Sequence, residues 1–386
     1  MKRFFYILSA IVFAMQASLY AQNSDTLPEP DRMAEDFVLT SVCIADPTYW
    51  QDDALGTLGH AFLRLQCPYY NLDFCFTYEG ESVNDNFNKY LMGETKMGMF
   101  AYKTNEYLED YKKWNRSVHE YHLNLPPESE VRLWEIMDNH LTKGINLTQD
   151  MNRYGCAITI VRYVKKALDT IPIVYHENEL ETLTRREIGY RSLANQPWQR
   201  LISMVFTDSR YDSDCPIDEK LIVPADLVQV WQNATVNGKQ LAVYKQDLVS
   251  GASVDNTKPW FTPMLVALIL LVIVIGFAFT DIPYLDWLLL AVQTIGGLVM
   301  FYFWIMMLHF SISGYLLMVL LNPLPVICWK WRRYWELPYA VLLLIGGIVL
   351  ICMPHMIIDP AVIVFAMSYV VMYAKNPVKR FLSARR

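Results

Sequence analysis

Short alternations of apolar and polar positions fill the first two thirds of the chain and give way, after Pro259, to nearly continuous apolar runs. Phe37 to Cys43 has the length and composition of a strand. Gly59 to Leu65 and Leu72 to Tyr78 alternate with period two on either side of the turn-like Cys67-Pro68-Tyr69-Tyr70-Asn71, which predicts a hairpin. Pro126-Pro127-Glu128-Ser129-Glu130 predicts the opening of an amphipathic helix reaching about Leu141, with proline early, where its missing N–H matters least. A second helix begins near Cys156 and carries Ile160, Val161, Val164 and Leu168. Asn237-Gly238 is a hairpin turn before another strand, Leu241 to Tyr244. The pattern is α+β, with no visible repeats or low-complexity segments.

Beyond Pro259 the apolar runs are Phe261 to Thr280, Tyr284 to Leu308, Ile312 to Trp329, Pro338 to Met356 and Ala361 to Ala374. A spanning helix needs roughly 20 apolar residues, because in hydrocarbon only the helix itself satisfies its backbone groups. An all-α transmembrane bundle of about five helices is expected. Four is the alternative, since the fifth run is short and Pro323 and Pro325 interrupt the third. At the N-terminus, Lys2 and Arg3, the apolar Phe4 to Met15 and the stretch ending at Ala21 have the order of a secretory signal, with an uncleaved anchor as the alternative. The expected division is a signal peptide over 1–21, a periplasmic domain over 22–259 and a transmembrane domain over 260–386. With the domain exported, five spans place Lys330, Arg332 and Arg333, and the tail with Lys375, Lys379, Arg380, Arg385 and Arg386, on the cytoplasmic side. Trp260, Tyr284, Trp329, Trp331, Trp335 and Tyr339 fall near span ends, where amphipathic rings prefer to lie.

Composition narrows the function. A net charge of −6 and the absence of a basic run before the C-terminus argue against nucleic acid as a partner. Few ionisable groups lie within the spans, so an ion or proton pathway is poorly supported. No metal-ligand spacing such as CxxC or HExxH occurs, nor a phosphate loop, and no cofactor is expected.

Five cysteines precede the membrane runs. In an oxidising compartment an odd number leaves one thiol over, whichever pairings occur among Cys43, Cys67, Cys75 and Cys215. Cys67 and Cys75 flank the hairpin turn and are the candidate pair. Cys156 differs, because a helix start offers N–H groups and a positive end that lower a thiol pKa from about 8.5 and stabilise a nucleophilic thiolate. Gly155 would let substrate approach the sulfur, and adjacent N–H groups would hold an oxyanion. His60, at the start of a hydrophobic strand after Gly59, is the candidate base, against the alternative of a packed strand histidine. His119, His122, His140 and His176 lie in charged or amphipathic surroundings. Glu79, at the end of the next strand, is the candidate orienter of the imidazole, and Asp73 competes with it.

Gly59-His60-Ala61-Phe62-Leu63-Arg64-Leu65, the following Leu72 to Glu79 strand and the Gly155-Cys156-Ala157 helix start resemble the exported domain of the Bacteroidetes lipoprotein N-acyltransferase (Lnb) family. In that family a thiol domain, His first and Cys later, looks like a permuted papain or NlpC/P60 unit and is fused to membrane spans. Leu321-Asn322-Pro323-Leu324 also looks like its membrane motif. Two positions depart: Gly155 stands where related domains often have Asn, and Gly314-Tyr315 replaces a more polar run. The resemblance implies transfer of an acyl chain from a membrane phospholipid, through a Cys156 thioester, to the terminal amine of a diacylated lipoprotein. His60 would be the base, Glu79 would hold it, Arg64 would meet the donor phosphate, and Tyr154 and Gly155 would contact substrate. The competing readings are a membrane-anchored thiol peptidase or amidase acting on cell-wall peptide, and a non-enzymatic membrane scaffold or sensor.

Overall fold

A computed structural model describes residues 31–48, 56–80, 87–145, 147–148, 155–207, 209–252, 259–278, 280, 283–307, 310, 312–352 and 358–384. The expected signal peptide and Tyr154 lie outside these residues.

The predicted strands pair into one antiparallel sheet. β1 (Leu39–Ala45), β2 (His60–Cys67), β3 (Leu72–Gly80), β4 (Lys96–Lys103), β5 (Val118–Leu123) and β9 (Ala242–Val249) are its long strands, and β6 (Leu147–Thr148) is a short edge. The order is β6-β4-β3-β2-β1-β5-β9, every pair antiparallel. Asn237 and Gly238 both take positive φ and join the two-residue strands β7 (Thr235–Val236) and β8 (Lys239–Gln240).

Alternation along the strands makes two different faces. On one, Val42, Ile44, Ala61, Leu63, Leu65, Phe76 and Tyr78 are buried. They are covered by α3 (Pro127–Lys143), α4 (Cys156–Leu168) and α8 (Pro224–Asn233), which contribute Leu133, Met137, Ile160, Val161, Val164, Leu168, Leu227 and Trp231. The proline-led start of α3 and the start of α4 at Cys156 fall where the sequence pattern places them. On the other face Cys43, Ala45, Phe62, Cys75 and Val118 pack beneath Leu108 and Tyr111 of α2 (Thr104–Lys113). Cys67 belongs to the first face and Cys75 to the second, so the proposed Cys67–Cys75 bridge does not form, and all seven cysteines are free thiols.

After the sheet come α9 (Pro263–Phe277), α10 (Pro283–Met306), α11 (Ile312–Leu320), α12 (Leu324–Ile327), α13 (Arg332–Cys352) and α14 (Pro360–Ala384). Three helices, Tyr284–Met306, Trp329–Cys352 and Pro360–Ser383, are long and apolar enough to cross a membrane. Two further apolar helices, Pro263–Phe277 and Gly314–Ile327, are shorter. The last helix is not the short one expected, because it continues through Pro377 to Ala384. The third predicted run breaks at Leu321 to Pro323. There Asn322 Nδ2 donates to the Val319 carbonyl (2.8 Å) and to Tyr339 Oη (2.7 Å), while Gln293 reaches Leu320 O and Tyr339, supplying partners for backbone that the break leaves open.

The sheet-containing unit is joined to one end of this bundle. α6 (Pro197–Phe206) packs on α9 and α11, and Trp198 Nε1 donates to the Phe261 carbonyl (3.0 Å). Arg200 pairs at 2.9 Å with the buried Asp359, which also caps the start of α14 through Ala361 N–H. Phe87, on α1 (Phe87–Leu91), meets Phe303 edge-on, and Asn88 accepts from Tyr302. At the opposite end of the bundle Asp286 pairs with Lys375, and Glu336 with Arg380.

Candidate active site

Gly59 and His60 open β2 beside the end of β1, where His60 faces Ala45. Gly59 has φ +91°, and a Cβ there would lie 2.9 Å from the Ala45 carbonyl oxygen, so the turn into His60 requires glycine. The His60 ring stacks on Phe62 at 6.2 Å between centroids, and its Nε2 lies 2.8 Å from Thr77 Oγ1. Thr77 is fully buried. It is a hydrogen-bond partner of the imidazole.

Cys156 is the first residue of α4, with Gly155 as the extended cap before it. The backbone N–H groups of Ala61, Ala157 and Cys156 itself are directed at the sulfur. The thiol therefore sits against the strand residue that immediately follows His60, nearly one hundred positions away in sequence. A Cβ on Gly155 would meet only Ile158, at 3.9 Å, so space remains beside the sulfur.

The electrostatics correct one expectation. Burial pushes the Cys156 thiol above its ordinary value, and the three N–H groups and the Arg116 guanidinium only partly offset it. A standing thiolate is thus not favoured by the helix start alone. A neutral thiol needs a base to take its proton during reaction; Cys156 packs on the Ala61 side of β2, while the His60 ring turns to Phe62 and Thr77.

Glu79 lies at the same end of the sheet as His60. Burial raises its carboxyl, partly countered by a hydrogen bond from Tyr107. Tyr107 in turn bonds Thr77 and lies 3.3 Å from Tyr111 Oη. Among the described residues Glu79 thus reaches the imidazole through Tyr107 and Thr77, not by the direct contact expected of an orienter.

Two other expectations are overturned. Asp73 pairs with Gln66, six positions along β2 from His60, which at ~3.3 Å per residue is about 20 Å away. It cannot orient the imidazole. Arg64 is taken up by Asp73 (2.6 and 2.9 Å) and by both oxygens of the fully buried Glu120 (3.1 Å), leaving its guanidinium committed to the sheet rather than to a donor phosphate. His119 is likewise clamped, between Asp46 (3.2 Å) and Asp247 (2.6 Å).

Two residues carried no local signal: Thr77, which meets the His60 ring, and Arg116, whose guanidinium holds the Asp46 carbonyl. Period-two alternation does set Thr77 and Glu79 on one face of β3, but nothing local distinguishes the threonine from packing. Among the described residues no group of His, Cys, Asp and Glu has the arrangement of a metal site. No family model, curated protein or solved structure matches this chain.

Proposed function

We propose that this protein is a lipoprotein N-acyltransferase of the bacterial inner membrane, its thiol domain in the periplasm and its helices forming a five-span bundle. One observation carries the reading. The thiol and His60 lie at the end of the sheet whose neighbouring segments are tied to the membrane helices. Gln196 of the segment entering α6 donates to the Thr48 and Thr57 carbonyls, which belong to the connection leading into His60, and Gln199 reaches Thr57 Oγ1 at 3.2 Å. In the same helix, Trp198 and Arg200 hold Phe261 and Asp359. A nucleophile placed there is suited to a lipid ester at the membrane surface.

The antiparallel sheet with the thiol helix packed on it supports the permuted papain or NlpC/P60 reading. Among the described residues the links from the thiol domain meet one end of the bundle, and the basic Lys375 and Arg380 lie at the other, which supports a periplasmic domain and a cytoplasmic tail. In the proposed reaction His60 takes the Cys156 proton as the sulfur attacks a phospholipid ester carbonyl. The ester C–O bond breaks, the lysophospholipid oxygen takes the proton from His60, and the acyl group rests as a Cys156 thioester. The N-terminal amine of a diacylated lipoprotein then attacks the thioester. The amide forms, the C–S bond breaks, and the amine proton returns through His60 to the sulfur. In this reading the N–H groups of Ala61 and Ala157 beside the sulfur hold the developing oxyanion. Mass spectrometry of lipoprotein N-termini in cells with and without the protein tests this. Triacylated termini that depend on the protein are expected. Unchanged termini together with altered cell-wall peptides would favour a thiol peptidase instead.

A further inference from the structure

We propose that Arg116 forms an anion subsite beside Cys156 and takes the phosphodiester of the glycerophospholipid donor, a refinement that rests on the transferase reading. Arg116 lies between α2 and β5. Its Nε donates to the Asp46 carbonyl at 2.5 Å and its Nη2 approaches the Gly56 carbonyl at 3.5 Å, so the guanidinium bridges the two ends of the connection leading to His60. It also lies over the Tyr111 ring, 5.6 Å from the centroid. Its partners are thus neutral carbonyls and a ring face, and among the described residues no carboxylate pairs with it.

Arg64 offers the contrast, because its charge is already met by Asp73 and Glu120. A guanidinium held by backbone carbonyls keeps its charge uncompensated and its remaining N–H groups available for a phosphate. The side chain is partly accessible, and the Asp46 carbonyl it holds follows Ala45, which pairs with His60, the residue before the Ala61 whose N–H meets the sulfur. Its backbone is fixed as well. Gly251 packs so closely that a Cβ there would lie 2.4 Å from the Asn115 carbonyl oxygen and 2.7 Å from Arg116 N. Gly56 is adjacent to Thr57, which α6 holds through Gln199 next to the Trp198–Phe261 bond, so the cation is tied to the segment that α6 links to the apolar helices. A glycerophospholipid carries its phosphate a few bonds from its ester carbonyls. One lipid would therefore present its ester to Cys156 and its phosphodiester to Arg116.

The test uses the full chain in nanodiscs and two labelled donors with the same acyl chains, phosphatidylethanolamine and diacylglycerol. Wild type should load Cys156 from the phospholipid in preference by on the order of tenfold, the size of one hydrogen bond to a charged group. Arg116→Gln should bring that ratio near one, with Arg116→Lys between. A ratio unchanged in Arg116→Gln overturns the proposal. Should wild type load neither donor, the transferase reading fails, and the subsite is judged by alkylation of Cys156 with anionic iodoacetate against neutral iodoacetamide. A several-fold fall of that rate ratio in Arg116→Gln supports an anion subsite, and an unchanged ratio overturns it. The neutral reagent corrects for any shift of the Asp46 and Gly56 backbone. If millimolar inorganic phosphate abolishes the iodoacetate preference while phospholipid does not, the site takes free phosphate and the lipid assignment is overturned.

Discussion

Replacing Arg64 by Met separates a structural arginine from a substrate-binding one. The change removes the guanidinium shared by Asp73 and Glu120 and leaves Glu120 fully buried. Breaking a buried pair costs about 3–5 kcal/mol. Glu120 keeps Gln246 at 2.8 Å and Lys245 at 3.3 Å, and the Asp73 side chain is 37% exposed, so the low end, about 3 kcal/mol, is expected. With a urea dependence of roughly 2–3 kcal/mol per molar, the unfolding midpoint should fall by on the order of 1 M. Proteolysis after a urea pulse, on the full chain in nanodiscs, reads that midpoint. Acid should narrow the gap. Burial alone would raise both carboxyls, but Gln246, Arg64, Ser41 and Lys245 hold Glu120 below the ordinary range, and Arg64, Thr104 and Gln66 do the same for Asp73. Carboxyls depressed in the folded state contribute stability above their unfolded pKa, about 4, and lose it as pH falls through the folded value. The difference between wild type and variant should therefore be full at pH 7 and shrink below about pH 4. Arg64→Met with Glu120→Gln should recover part of the loss. An unchanged midpoint at pH 7 would refute the structural role, and lost lipid labelling at undiminished stability would return Arg64 to substrate binding.

Thr77→Val removes a hydrogen-bond partner of the His60 ring at nearly constant volume, and should slow acyl loading by about tenfold, the size of one buried hydrogen bond, with Thr77→Ser restoring most of it. Equal rates in all three would mean that Thr77 only packs. Because burial raises the Cys156 thiol, its iodoacetamide alkylation in lipid-free protein should rise with pH to a midpoint above the usual ~8.5, and a midpoint below 8 would contradict the resting neutral thiol. A reporter active only outside the cytoplasm should work after Ser250 and fail after Arg386. Activity at both positions would remove the five-span topology.

Local patterns fixed much of this architecture in advance. The β2–β3 hairpin, the Pro126-Pro127 start of α3, the start of α4 at Cys156 and the Asn237-Gly238 turn each follow from residues within a few positions of one another. What escaped depends on register between distant segments. Arg64 looked available because Glu120, its buried partner, arrives 56 positions later on β5, across β1. Arg116 reaches the Asp46 carbonyl and Thr77 the His60 ring only once β1, β2, β3 and α2 are assembled. The lowered thiol pKa expected for Cys156 considered the helix end and omitted the burial that α4 suffers against the sheet. In the apolar half, length and hydrophobicity identified the helices, but they could not reveal that Gln293, Asn322 and Tyr339 bond across the break in the third run.

The most direct test is chemical. Protein incubated with acyl-labelled phospholipid, in the absence of a lipoprotein acceptor, should acquire label that hydroxylamine releases at neutral pH. Peptide mapping should place the label on Cys156. Cys156→Ala should acquire none, His60→Ala should acquire it slowly, and added diacylated lipopeptide should discharge it onto the peptide amine. Label persisting on Cys156→Ala, or amine acylation by wild type without any thioester, would contradict the covalent role assigned to Cys156.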